Sequence, residues 1–258
     1  MNKKYFFFDI DGTLTDRSTH KIVPSAKIAL EKLKEAGHFV CLNTGRAHYK
    51  AEIARKEFGF EHMVCNGGNG IVINGELIEN IPLDREACIQ ILDEATAKNI
   101  GYLVAINDTI EVYSNNDLFI KQVGERQEPT TYYFDENFDY HQVKNFYKIY
   151  LALSTQKESN FNHLHALGSL RFVPEYLMFQ PDNKKAGIFK MMEHLNAPIQ
   201  DVVVFGDDNN DLDMFDPDLW IGVAMGNACD ALKAKATYIA DININDGIYK
   251  ICEEKGWF

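Results

Sequence analysis

The chain has 258 residues, 46% hydrophobic and 25% charged, enough for one large folded core or a core plus a smaller domain, and unlike a disordered chain. Its 38 acidic and 26 basic residues give a formal net charge of -12, which repels polyanions and argues against nucleic acid or an anionic membrane as partner. Five cysteines, at positions 41, 65, 88, 229 and 252, follow neither disulfide nor metal-site spacing and read as reduced core thiols. No apolar run reaches the roughly 20 residues that span a bilayer, and Met1-Asn2-Lys3-Lys4 carries no signal-peptide core, so a cytoplasmic protein is expected.

The first element is the run Tyr5-Phe6-Phe7-Phe8, which lacks alternation and so reads as a strand covered on both faces, as in a parallel sheet. It ends in Asp9-Ile10-Asp11-Gly12-Thr13. Residues two apart on an extended segment point the same way, so both carboxylates face one site while Ile10 turns inward. Gly12 lets the backbone pass close to a ligand. Two desolvated carboxylates repel each other unless a cation or a shared proton intervenes, and a hard divalent ion such as Mg2+ suits one acid as nucleophile and the other as proton donor. Taken alone, an Asp-Gly turn closing a strand is the lesser alternative for this segment.

A helix follows from about Ser25 to Ala36, stopped by Gly37, then a second apolar strand, His38 to Asn43, that stops at Thr44-Gly45-Arg46. A hydroxyl and a free backbone N–H beside a helix start form a small anion cradle, although a Thr-Gly pair is more often plain turn chemistry. Arg46 is a candidate for a second anionic group of a substrate, or for a structural ion pair. A helix near Ala47 to Glu57, a strand at Met63 to Cys65, and a hairpin about Asn74-Gly75 complete a βαβ pattern, with Pro82 marking its exit.

From 83 to 182 the texture changes to amphipathic helices such as Asp84 to Lys98 and alternating strands such as Thr109 to Tyr113 and Lys148 to Leu153, the pattern of an α+β layer with an antiparallel sheet. Its aromatic residues, Tyr132-Tyr133-Phe134 among them, mostly pack an interior. His48, His163 and His165 follow no metal spacing. At 182 the alternation of strand and helix resumes: Asp182 reads as an N-cap, placing Lys184 and Lys185 in a first helical turn against the helix dipole, where an anion cluster would compensate them. A β-branched strand, Asp201 to Phe205, then ends in Gly206-Asp207-Asp208-Asn209-Asn210-Asp211 and repeats the architecture of the first motif. Strand after strand ending in the groups that a Mg2+ and phosphate site needs is a constellation rather than a set of turns.

The four segments Asp9-Ile10-Asp11-Gly12-Thr13, Thr44-Gly45-Arg46, Lys184 and Gly206 to Asp211 occur in the order found in the haloacid dehalogenase superfamily, and the chain resembles its Cof-type (subfamily IIB) phosphatases. The likeness extends to Cys65-Asn66-Gly67-Gly68, to Ala224-Met225-Gly226-Asn227-Ala228 and to Asp246-Gly247. It implies an α/β fold: a Rossmann-like parallel-sheet core over 1-82 and 183-258, with an α+β cap inserted at 83-182 that selects the substrate. It further implies a phosphatase for small phosphorylated metabolites, sugar phosphates foremost, with Mg2+ as cofactor. In the implied roles Asp9 attacks phosphorus and Asp11 is the acid and base. Ile10, Thr44, Gly45, Lys184 and Asn210 hold the phosphoryl oxygens, and Asp9, Asp11 (through its carbonyl), Asp207 and Asp211 serve the metal. Asp11 separates hydrolases from dehalogenases, whose halide leaving group needs no proton. Lys185 stands where many relatives carry glycine, which leaves open which lysine meets the phosphate. A phosphosugar mutase and a non-catalytic phosphometabolite-binding regulator are the alternatives. Oligomeric state is not legible in the sequence.

Overall fold

The computed structural model describes residues 2–258, apart from the side chain of Phe172, and divides into two compact units. One comprises residues up to Asn80 together with Asn183–Phe258, and the other is Ile81–Asp182. The chain leaves the first unit at Asn80, where a strand ends, rather than at Pro82, and Leu83 N already donates to Phe146 O inside the second.

The first unit holds β1 (Tyr5–Phe8), α1 (Pro24–Glu35), β2 (Phe39–Asn43), α2 (His48–Glu57), β3 (His62–Cys65), β4 (Gly70–Ile73) and β5 (Glu76–Asn80). After the second unit's α3 (Arg85–Ala97), β6 (Tyr102–Ala105), β7 (Glu111–Ser114), α4 (Leu118–Val123), β8 (Thr131–Phe134), β9 (Lys148–Leu151), β10 (Ser169–Val173) and β11 (Tyr176–Phe179), it resumes. Its return consists of α5 (Lys184–His194), β12 (Val202–Gly206), β13 (Ile221–Ala224), α6 (Asp230–Lys235), β14 (Tyr238–Ile239) and α7 (Gly247–Glu254).

The strand order of the first unit is β14-β13-β12-β1-β2-β3-β4-β5. Strands β14 through β3 are parallel, and β4 and β5 add an antiparallel hairpin whose turn residues Asn74 and Gly75 have φ of 52° and 78°, the left-handed pair that a tight primed turn requires. β1 lies at the centre, with β2 on one side and β12 on the other, so the order reverses there and the carboxyl ends of the three strands open on one crevice. The aromatic run explains why β1 is central: Phe6, Phe7 and Phe8 are all fully buried. Phe6 and Phe8 pack with α1, α2 and α7 and against Phe205 and Trp257, while Phe7 packs on the opposite face with Ile188, Met191 and Met192 of α5. Each buried phenylalanine contributes about 2–3 kcal/mol of transfer free energy, so the strand that carries the first motif is also among the most firmly held.

The second unit is a six-stranded sheet of order β10-β11-β9-β6-β7-β8, with α3 packed on one face and α4 on the other. It is mixed rather than antiparallel: β7 and β8 pair in parallel, because α4 lies between them and returns the chain in the same direction. No helix among the described residues is long and apolar enough to cross a membrane.

Glu94 on α3 ties the segment after Asn160 to this unit. Its carboxylate accepts from Asn162 N (2.7 Å), His163 N (2.9 Å), His163 Nδ1 (2.6 Å) and Lys98 Nζ (2.5 Å). Burial opposes ionisation, but these donors prevail and hold the carboxyl at about 2, below its ordinary 4.5. The stabilisation is therefore complete above pH 4.5 and is lost as pH falls through about 2. Glu94→Gln should lower stability at pH 7 by about 1–3 kcal/mol in urea titrations, and the gap from the unchanged protein should narrow as pH falls below the ordinary value. A gap independent of pH would contradict an ionised Glu94 at the centre of this knot.

Candidate active site

The site is built from strand ends. Asp9 follows β1, Thr44 follows β2, Asp207 follows β12, and Lys184 opens α5. Asp9, Asp207 and Asp211 are buried, and one carboxylate oxygen from each lies within 4.8 Å of the other two. Lys184 is buried as well and donates to Asp9 Oδ1 at 2.6 Å and to Asp211 Oδ1 at 2.5 Å. It does not extend its ammonium into water; the two aspartates supply the anion cluster that its place in the first turn requires.

Asp211 organises the loop after β12. Its Oδ2 accepts from Asp207 N at 2.9 Å and Asp208 N at 3.1 Å, folding Asn209–Asp211 into a single 3-10 turn. Gly206 is needed for this, since a Cβ there would lie 2.8 Å from the Asp211 carboxyl carbon. α5 is placed by a second close approach, in which the backbone of Asn66-Gly67-Gly68 is left-handed (φ 49°, 56° and 98°) and Asn183 N donates to Gly67 O at 2.8 Å. A Cβ on Gly68 would lie 2.0 Å from Asn183 O, and one on Gly187 would lie 2.7 Å from Gly68 Cα. The N-cap of α5 is Asn183, whose side chain accepts from Ala186 N, rather than Asp182. Asn183 is the residue seated on the glycine turn, so the cap falls one position later than the sequence pattern places it.

Electrostatically the site is short of cations. Burial, then the charge of Asp211, pushes the Asp9 carboxyl up to about 7 in spite of Lys184. Burial likewise pushes Asp207 up to about 6 against the pull of Arg17 and Thr13. Lys184 moves upward too: burial opposes its charge, but Asp211 and Asp9 more than offset it, so the lysine is the charged member of the cluster. Buried hard oxygen donors carrying more negative than positive charge fit a divalent cation.

Asp11, half-exposed, is gripped through both oxygens by Arg46, with Nη2 at 2.5 and 2.7 Å and Nε at 3.1 Å. In this structure Arg46 thus takes the ion-pair alternative. Thr44 is buried and its hydroxyl accepts from Arg46 N at 3.2 Å. Gly45 is partly exposed beside it, Ile10 is buried and its carbonyl accepts from Thr15 Oγ1, and Asn210 is exposed on the turn after Asp208. Lys185 points elsewhere: its N–H donates to Asp213 and its ammonium to Asp216 at 2.5 Å, so of the two lysines only Lys184 reaches the carboxylate cluster.

Four residues at the site carried no role in the sequence reading. Thr13 Oγ1 donates to Asp207 Oδ1 at 2.9 Å, and Arg17 Nη2 donates to Asp207 Oδ2 at 2.7 Å. Asn227 Nδ2 donates to Gly12 O at 2.8 Å and lies 3.4 Å from Asp207 Oδ2, while Asn243 Nδ2 donates to Thr15 O at 2.8 Å. Asn227 had a legible signal, since it follows β13 as Asp207 follows β12. Arg17 had none, because it comes from a loop without a pattern.

A family model described as haloacid dehalogenase-like hydrolase matches residues 6–251. The Bacillus subtilis (strain 168) protein YkrA is 26% identical over 99% of each chain. The 5-amino-6-(5-phospho-D-ribitylamino)uracil phosphatase YitU of the same organism is 24% identical over 95% of each. The crystal structure of a hypothetical protein from Geobacillus kaustophilus HTA426 superposes with a TM-score of 0.81 at 26% identity, covering 100% of both chains. The chain belongs to the haloacid dehalogenase-like hydrolases.

The seating of α5 gives a test. Gly68 and Gly37 both have positive φ, but nothing lies within 4 Å of a Cβ on Gly37. Gly37→Ala should cost only backbone strain, on the order of 1 kcal/mol, whereas Gly68→Ala adds a backbone clash and should cost well over 2 kcal/mol in urea unfolding. Equal losses would contradict the close approach that places Lys184.

Proposed function

We propose that the chain is a Mg2+-dependent phosphatase for monoesters of small metabolites, with sugar and polyol phosphates as the leading class, working through an aspartyl-phosphate on Asp9. The observation that carries this reading is the buried Asp9 carboxylate, held by Lys184 at 2.6 Å within a cluster of acids. A carboxylate fixed in this way is positioned for in-line attack, and Lys184 beside it neutralises charge on the incoming phosphoryl oxygens. Thr44, Gly45, Asn210 and the backbone at Ile10 would complete the cradle for those oxygens. Phosphoryl transfer depends chiefly on such positioning and neutralisation.

Asp11 protonates the departing alcohol and afterwards draws the proton from the attacking water. Both oxygens of Asp11 are engaged by Arg46, so this pair must open before proton transfer, and an anionic group on the substrate would draw Arg46 away. Asp9, the Asp11 carbonyl and Asp207 would hold Mg2+, with Asp211 behind them. When bound, the ion supplies charge neutralisation and alignment of the transferring group. The sugar-phosphate preference is supported by the relative YitU, whose name describes a phosphorylated ribityl compound.

Phosphate release from sugar phosphates, flavin mononucleotide, pyridoxal phosphate and a generic aryl phosphate, with MgCl2 and with EDTA, tests the reading. Release with Mg2+ that EDTA abolishes is expected, with sugar or polyol phosphates turned over best. Asp9→Asn should lower the rate by at least about a thousandfold while leaving the circular dichroism spectrum unchanged. Undiminished turnover by Asp9→Asn would remove Asp9 as the nucleophile, and metal-independent release would remove Mg2+ from the account.

A further inference from the structure

The loop that follows Thr15 brings a third cation to the site. Arg17 Nη2 lies 2.7 Å from Asp207 Oδ2 and 2.8 Å from Asp208 Oδ2, one nitrogen bridging two carboxylates. The Asp207 side chain is 1% exposed, whereas that of Arg17 is 56% exposed, so a buried acid is neutralised by a group free to swing into water. A Cβ on Gly12 would meet Asp207 Oδ2 at 2.2 Å and Arg17 Nε at 2.4 Å, which shows how closely the guanidinium, that carboxylate and the Asp9–Gly12 backbone converge.

Asp207 Oδ1 accepts from the Thr13 hydroxyl at 2.9 Å, while Oδ2 accepts from Arg17 at 2.7 Å and, at 3.4 Å, from the neutral Asn227 amide, so Arg17 is the one cation on this carboxylate. Lys184 is committed to Asp9 and Asp211, and Arg46 to Asp11. Arg17 is therefore the cation whose withdrawal would free a buried ligand oxygen. It can withdraw at small expense, because Asp208, 43% exposed, remains as a partner outside the cluster.

We propose that Arg17 is a built-in counter-cation of the metal site, which neutralises Asp207 when no divalent ion is bound and yields its place when one arrives, so that Arg17 sets the affinity of the site for metal. The inference rests on the reading of Asp207 as a metal ligand. It makes Arg17 a competitor for the ion rather than a ligand or a substrate contact. Arginine suits the task, since a guanidinium is charged at every relevant pH and is less strongly hydrated than an ammonium.

Isothermal calorimetry with MgCl2 is the test, on the full chain and on Arg17→Ala, with Lys21→Ala as the control for loss of a nearby exposed charge and Asp207→Asn as the control for the site. Arg17→Ala should bind Mg2+ roughly tenfold more tightly, Lys21→Ala should be nearly unchanged, and Asp207→Asn should lose the binding heat. In thermal unfolding Arg17→Ala should melt lower than the unchanged protein without metal, and the deficit should close with saturating MgCl2, because the guanidinium has by then left Asp207. Unchanged or weaker Mg2+ binding by Arg17→Ala overturns this inference and leaves the metal site standing. Absence of any Mg2+ heat in the unchanged protein overturns both together.

Discussion

The structure of the site depends on one buried lysine. Lys184 stands between Asp9 and Asp211, at 2.6 and 2.5 Å, with side-chain exposures of 1%, 7% and 0%. An ion pair so buried gains little net stability, because desolvation offsets the attraction, but removing one member strands the others and costs about 3–5 kcal/mol. The arrangement therefore serves position more than stability. It fixes a carboxylate oxygen on Asp9 against a positive charge, and through Asp211 it fixes the backbone N–H groups of Asp207 and Asp208. One interaction thus sets the geometry of two strand ends.

Close approaches of glycine make that placement possible. Gly206 admits the Asp211 carboxylate to the end of β12, and Gly68 and Gly187 let the first turn of α5 rest on the turn after β3. The aromatic strand β1 anchors the whole from below, with Phe6 and Phe8 packed on one face and Phe7 on the other. Rigidity in the sheet and close contact at its edge together leave the acids little freedom, which is the condition for preorganised electrostatics.

Much of this was legible in the sequence because it follows from patterns of period and punctuation. The unbroken Phe6-Phe7-Phe8 run indicated a doubly covered strand, and Asn74-Gly75 indicated a tight hairpin; both have those forms. Lys184 and Lys185 stood out together because cations in a first helical turn need an anion, and only the family resemblance set Lys184 apart. Less legible was whatever depends on residues far apart in sequence. The parallel pairing of β7 with β8 required knowing that the short α4 crosses between them. The grip of Arg46 on Asp11 and of Arg17 on Asp207 spans 35 and 190 positions and has no periodicity to betray it. Choosing Asn183 over Asp182 as the cap likewise depended on the glycine turn that seats it.

The central claim is that Asp9, rather than Asp11 or a water, takes the phosphoryl group. Its most direct test is to mix the enzyme with substrate and Mg2+, reduce the quenched acyl phosphate with borohydride, and map the product by peptide mass spectrometry. Reduction of an aspartyl-phosphate converts that residue to homoserine, and the account predicts homoserine at position 9 alone. Homoserine at position 11, or turnover with no modified residue trapped at any time, would contradict it.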